Sequence, residues 1–164
     1  MMQKKKVYHE LEPYYNTDSK VLILGSMPSA KSRELGFYYM HPQNRFWKTL
    51  AKVFDEDLPS SIDDKKDFLK RHKIALWDVI ASCNIAGSSD SSISNVKVNN
   101  INKLLKETNV EKIFTLGRKA YNLYNKYLLP KTKKETSYLP STSPLYCPKG
   151  IDEKLYNEYL KIKD

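Results

Sequence analysis

The chain has 164 residues, 40% of them hydrophobic and 29% charged, which fits one domain, 1–164, with a core of its own. No apolar run approaches the ~20 residues that span a bilayer, and the basic start MMQKKKVYHE lacks the apolar stretch of a secretory signal. Two cysteines, Cys83 and Cys147, can neither hold a four-cysteine iron–sulfur cluster nor frame a secreted disulfide fold, so the cytoplasm is the expected location.

The net charge of +9 favours polyanions, with nucleic acid first among them. A general bias toward Lys and Asn would give the same excess, since both recur along the whole chain.

Residues 1–20 read as a leader packing on the core: a Lys4-Lys5-Lys6 cluster, then LEPYY as a wrap. Val21 to Gly25 (VLILG) is a buried strand by its continuous apolar run and closing Gly. A loop is expected to about Gln43. Asn44 can then cap a helix whose apolar face is Phe46, Trp47, Leu50, Ala51, Val53 and Phe54. Residues 63–72 form a more polar helix, and 74–80 (IALWDVI) the next strand. The Ser-rich stretch CNIAGSSDSSIS after it reads as a long loop. A helix follows from Asn99 or Asn100 to about Thr108, then a strand over 112–117, a helix over 118–128, a short strand over 136–139 and a closing helix over 151–162. KTKKE, 131–135, is a solvated basic turn. Strands alternating with helices predict an α/β domain in three layers, with a central, mainly parallel four-stranded sheet.

Ligands bind such sheets at the carboxyl ends of the strands, and two segments stand there. The first is Gly25-Ser26-Met27-Pro28-Ser29, neither a phosphate loop of GxxxxGK[ST] type nor a GxGxxG fingerprint. It is a tight turn whose backbone N–H groups can bond a base, or an ordinary strand exit. In Phe37-Tyr38-Tyr39 one ring can stack on a base, while two are expected in the core. His41 serves as a base, or as a structural or phosphate-facing residue. Asn44 is an N-cap, or the amide that holds a water. Asp78 is expected to bond local backbone N–H groups. Ser88 and Ser89 begin a hydroxyl-rich run that grips a phosphate or is merely a polar surface. The second segment is Leu139-Pro140-Ser141-Thr142-Ser143-Pro144, with Leu145 and Tyr146 beyond. Its serines can hold phosphates and its apolar tip can wedge into the gap left by an extruded base, or it is a Pro-terminated surface loop.

Together these motifs resemble the uracil-DNA glycosylase superfamily. Its mismatch-specific members carry a GINPG turn, an aromatic and a P-x-N-x-F-W helix start. Gly25 to Ser29 stands at the turn here, Tyr39 at the base-stacking aromatic, and Pro42-Gln43-Asn44-Arg45-Phe46-Trp47 matches the helix start. LPSTSP corresponds to the second motif, which includes the intercalation loop. Met27 replaces the family's catalytic Asn or Asp, and Leu139 stands where the uracil-specific enzymes have His. Both substitutions match the hypoxanthine-DNA glycosylase branch, which has GSMPS-like turns, HPxNxFW and LPSTSP.

That resemblance implies Asn44 as the catalytic residue. It implies Gly25 to Ser29, Tyr39 and His41 around the base, and Ser88, Ser89 and Leu139 to Ser143 on DNA. The implied enzyme uses no cofactor and no metal. It hydrolyses the bond to a deaminated base flipped out of single- or double-stranded DNA and leaves an abasic site as part of base excision repair. With no lysine placed in the motifs as a Schiff-base nucleophile, a monofunctional enzyme is expected, and a monomer because one polypeptide holds both motifs. The rivals are a uracil-preferring glycosylase, a non-catalytic DNA-binding module on the same scaffold, and a hydrolase of free nucleosides.

Overall fold

The computed structural model describes residues 3–86 and 90–163. Four parallel strands form the main sheet: β2 (Val21–Gly25), β3 (Ile74–Asp78), β6 (Lys112–Leu116) and β7 (Thr136–Leu139), in the order β3-β2-β6-β7. All five residues of β2 are buried, as a central strand covered on both faces requires.

Side chains alternate between two cores with the period of a strand. Val21 and Ile23 join Phe46, Trp47 and Leu50 of α2 (Phe46–Val53), Phe68 and Leu69 of α3 (Ile62–Arg71), and Leu155 and Tyr159 of α7 (Ile151–Tyr159). Leu22 and Leu24 face the other way, onto Ile101 and Leu104 of α4 (Ile101–Lys106) and Ala120 of α5 (Gly117–Leu123). The result is the expected three-layer α/β/α arrangement around a four-stranded parallel sheet. The leader lies over it: Tyr14 bridges to Leu76, and the Tyr38 hydroxyl donates to the Glu12 carbonyl at 2.9 Å.

Three local readings need correction. The strand expected over 74–80 is two strands. The parallel β3 stops at Asp78, and β4 (Ile80–Ile85) starts two residues later in a different, antiparallel sheet. That sheet has the order β1-β4-β5, built from β1 (Lys5–Tyr8) in the leader and β5 (Ser94–Val98), the latter ending what read as a long loop. Its outer strands β1 and β5 are rich in Lys, Ser and Asn, and Ile80, Cys83, Ile85 and Ile93 give the sheet only a small apolar cluster. Two register irregularities in the β4–β5 pairing blur the alternation that would mark them.

The second correction is α1 (Ala30–Leu35), inside the stretch expected to be loop. The Ser29 hydroxyl accepts from the Ser32 N–H at its start, and Gly36 closes it at φ 82°. Only Ser32 of its residues is buried, so no apolar stripe announces it. Third, the helix expected over 118–128 starts at Gly117 and continues through a widened turn (Tyr124–Leu128) into α6 (Leu129–Thr132).

Candidate active site

β2 ends at Gly25 and β3 at Asp78, side by side in register. The carbonyls of Gly25 and Ser26 accept from the N–H groups of Val79 and Ile80, which ties the turn to the root of the small sheet. Gly25 has no space for a side chain: a Cβ there would collide with Asp78 Oδ1 and lie 3.1 Å from the Tyr39 hydroxyl. Three groups thus converge at the carboxyl edge of the sheet. Asp78 is 2% exposed, and instead of local backbone N–H groups its Oδ2 meets His9 Nε2 at 2.8 Å. The leader therefore reaches the site, through a residue that sequence reasoning passed over.

Around the turn, Ser26 and Pro28 are buried and the Ser29 hydroxyl caps α1. Met27 is half-buried and packs against the small cluster of Ile80, Cys83 and Ile85, so its thioether fills space.

Phe37 and Tyr38 are in the core, at 4% and 1% exposure, and Tyr39 is the half-buried ring of the three. It has φ 57°, a left-handed conformation that a bulky residue adopts only when its surroundings impose it. The Tyr39 ring is stacked on Phe46 with centroids 4.0 Å apart and planes 21° apart. Phe46 is held in turn beside Trp47, whose Nε1 donates to the Tyr38 carbonyl at 3.1 Å. The aromatic segment and the start of α2 are thereby one packed unit. Burial, with Asp78 and Glu12 nearby, pushes the Tyr38 phenol far above its usual range, so this group stays a neutral donor.

His41 closes the turn that precedes α2. Its carbonyl accepts from the Asn44 N–H at 2.9 Å, and its Nδ1 accepts from the Gln43 N–H at 3.1 Å. That bond occupies the ring nitrogen nearest the chain and fits a structural role. Asn44 is half-buried, and its Oδ1 accepts from the Phe46 N–H at 2.9 Å. The amide oxygen has a second lone pair, and the described residues provide no partner for its Nδ2. The N-cap position itself is held by Arg45, without a side-chain bond; Asn44, one residue earlier, caps the first N–H of α2 through its oxygen and has donor capacity to spare.

The second motif lies against the first. Leu139 and Pro140 are buried, Leu139 completely, and Thr142 is 2% exposed, so these side chains point inward. Ser141 and Ser143 are half-buried, and Leu145, at 72% exposure, is the apolar tip of the loop. The Ser141 and Ser143 hydroxyls accept from the N–H groups of Ser143 and Leu145, each at 3.1 Å. Gly117, at φ 83°, leaves room for Ser141, whose Cβ would be 3.4 Å from a Cβ placed there.

Arg45 joins the two motifs. Its N–H donates to the Thr142 carbonyl at 3.1 Å, and its guanidinium reaches the carbonyls of Ser143 and Tyr146 at 3.1 and 3.3 Å. Sequence reasoning gave this residue no role. Ser88 and Ser89 lie outside the described residues. Among the described residues no cluster of three His, Cys, Asp or Glu side chains could hold a metal, and no helix is long and apolar enough to cross a membrane.

Comparison with known proteins agrees with this geometry. Residues 12–161 match the family model of the uracil DNA glycosylase superfamily. The chain is 34% identical over 111 residues to a hypoxanthine DNA glycosylase of Methanosarcina barkeri, covering 66% of this chain and 70% of that protein. Over 128 residues it is 34% identical to a hypoxanthine DNA glycosylase of Methanosarcina acetivorans, covering 77% and 80%. The solution NMR structure of a Methanosarcina acetivorans protein, assigned there to the uracil DNA glycosylases, superimposes with a TM-score of 0.78 at 28% identity, over 94% of this chain and 97% of that one. With the two motifs joined at one sheet edge and the match running over nearly its whole length, the chain belongs to the uracil DNA glycosylase superfamily and is a DNA glycosylase.

Proposed function

We propose that the enzyme excises deaminated bases, hypoxanthine first, from DNA by flipping the nucleotide out and hydrolysing its N-glycosidic bond, with Asn44 as the catalytic residue. The single observation that carries this reading is the position of Asn44. A neutral amide with spare donor capacity stands at the start of α2, two residues from the ring on which Tyr39 stacks. The two relatives named hypoxanthine DNA glycosylases support the choice of base.

Glycosidic bonds break through an oxocarbenium-like sugar, which accepts a weak nucleophile. Asn44 holds a water against the anomeric carbon. As the new C–O bond forms, the electron pair of the C–N bond leaves with the base, and the proton that the water gives up ends on the base. Backbone N–H groups around Ser26 to Ser29 (Pro28 contributes none) and at the Leu139 loop stabilise the departing anion, each good donor contributing roughly 3–4 kcal/mol. The face of Tyr39 turned away from Phe46 stacks on the base. Ser141 and Ser143 hold flanking phosphates, Leu145 fills the gap in the helix, and poor pairing makes a deaminated base cheaper to extrude. No lysine serves as a Schiff-base nucleophile, so the product is an abasic site. The enzyme works as a monomer in the cytoplasm, within base excision repair.

The test separates catalysis from capping. Removing the cap costs about 1 kcal/mol of stability, whereas Ser at the same position still caps. Asn44→Ala and Asn44→Ser are both expected to lower single-turnover base release from a deoxyinosine duplex at least tenfold, about 1.4 kcal/mol of barrier, with DNA affinity kept. Wild-type rates in Asn44→Ser would leave the residue a cap and nothing more. The solved relative assigned to the uracil enzymes favours uracil as a second substrate. Parallel duplexes carrying deoxyinosine, deoxyuridine and deoxyxanthosine rank the three.

A further inference from the structure

The small antiparallel sheet has an outward face that the site above does not use. Register puts Tyr8, Ser82 and Lys97 in one row across β1, β4 and β5. Lys6, Asn84 and Ser94 form the next row, and the Lys4 ammonium lies 3.4 Å from the Ser94 hydroxyl. Val7 and Cys83, on the opposite face, turn into the small apolar cluster. The Tyr8 ring is 58% exposed, and Lys6 Nζ stands 5.3 Å over it. Every charged residue in the three strands is a lysine, and none is a carboxylate.

This face continues from the edge that carries the site. β4 begins two residues after Asp78, and the residue after Tyr8 is His9, whose ring bonds Asp78. Side chains two apart on a strand repeat at about 6.8 Å. Lys6 and Tyr8 of β1 therefore stand in a row whose spacing is on the scale of neighbouring phosphates along one DNA strand, with Lys4 just before them. Stacking of the Lys6 ammonium over Tyr8 holds that side chain in place, which lowers the entropy cost of binding.

The geometry points to this face as a second DNA-binding surface, in which the amines of Lys4, Lys6 and Lys97 and the Tyr8 hydroxyl bind the sugar–phosphate backbone of the duplex flanking the reacting nucleotide. The inference rests on the reading that the enzyme acts on a nucleotide in DNA.

Two triple variants test it. Lys6→Ala/Tyr8→Ala/Lys97→Ala strips the face. Lys126→Ala/Tyr127→Ala/Lys131→Ala removes the same residue types, including a Lys126 ammonium 5.0 Å over the Tyr127 ring, from the helical stretch that leads to the start of β7. That stretch packs through Tyr124 and Leu128 on one face of the main sheet and contributes no strand to the small one. The readout is equilibrium binding to an undamaged duplex across a salt titration. The first variant is expected to bind at least tenfold more weakly at low salt, and its log K against log salt slope to flatten by about 2, near 0.9 for each phosphate left without its ammonium. The second is expected to stay within about twofold of the parent affinity and to keep its slope. Lys97→Glu, which leaves Tyr8 in place, is expected to weaken binding in the same direction. Equal effects of the two triples, an unchanged slope in the first, or unaltered affinity in Lys97→Glu would each overturn the proposal. Base release is not read in this comparison. A chain that cleaved no deoxyinosine would refute the functional reading while the binding arms still decided this one.

Discussion

Among single residues, His9 and Asp78 form a buried polar pair at the edge of the site. The side chains are 1% and 3% exposed and 2.8 Å apart. A carboxyl group taken out of water needs a partner that returns the lost solvation. Here that partner is delivered by the leader, 69 residues away in sequence. His9→Leu leaves the carboxylate buried and alone, and is expected to lower unfolding free energy by about 3–5 kcal/mol. The double variant His9→Leu/Asp78→Leu, which removes both polar groups, is expected to recover much of that loss. Urea unfolding of the two variants and the parent measures the difference. A double variant as unstable as the single one would show that the pair contributes little as a pair. Gly25 is the neighbouring constraint, since only a residue without Cβ leaves the Asp78 carboxylate and the Tyr39 hydroxyl where they are.

Between elements, the critical junction is Arg45, at the start of α2. Its guanidinium meets the carbonyls of Ser143 and Tyr146 and the Cys147 sulfur at 3.1, 3.3 and 2.9 Å, so one planar fork fixes the second motif against the first. The ion pair to Asp152, whose side chain is 86% exposed, adds little beside that. Lys keeps the charge but not the fork. Arg45→Lys and Arg45→Ala are therefore expected to behave alike: faster amide exchange at Leu145 and Tyr146, and KM for a deoxyinosine duplex raised about tenfold or more, on the scale of one charged hydrogen bond of roughly 1.5–3 kcal/mol. Full activity in Arg45→Lys would mean that charge alone suffices.

The same scale shows what the sequence could disclose. VLILG, KIFTL and the face of α2 carry strong apolar periods, and the main sheet with its two helical layers follows from them. The motif residues were legible because turn chemistry is local: GSMPS, HPQN and LPSTSP are each read within a few positions. Arg45, His9 and Gly117 were not, because each acts on a segment far along the chain. Lys65 makes the same point. On a polar helix it reads as solvated, yet it is 8% exposed, with its amine on the Ser60 carbonyl and over the Trp47 ring.

At the scale of the whole molecule, charge and chemistry are carried by different groups. The net charge of +9 is spread over surface lysines. Beside the motifs, an open cleft of about 570 Å³ between α2 and α7 is lined by Arg45, Lys48 and Lys52. The groups proposed to act on the base are neutral: the Asn44 amide, backbone N–H groups and the Tyr39 ring. Salt screens exposed charges beyond about 10 Å at 0.1 M, and counterion release makes phosphate binding fall steeply as salt rises. Hydrogen bonds inside a closed pocket, once DNA is seated, are hardly touched by it. Raising salt from about 50 to about 200 mM is therefore expected to lower kcat/KM on a deoxyinosine duplex by tenfold or more, a minimum for a protein that binds several phosphates. The single-turnover rate at saturating enzyme should stay within about twofold, since RT at this temperature makes that less than about half a kcal/mol of barrier. A rate at saturation that fell in step with affinity would place a charged surface group in the chemical step itself, and the amide at position 44 would no longer suffice.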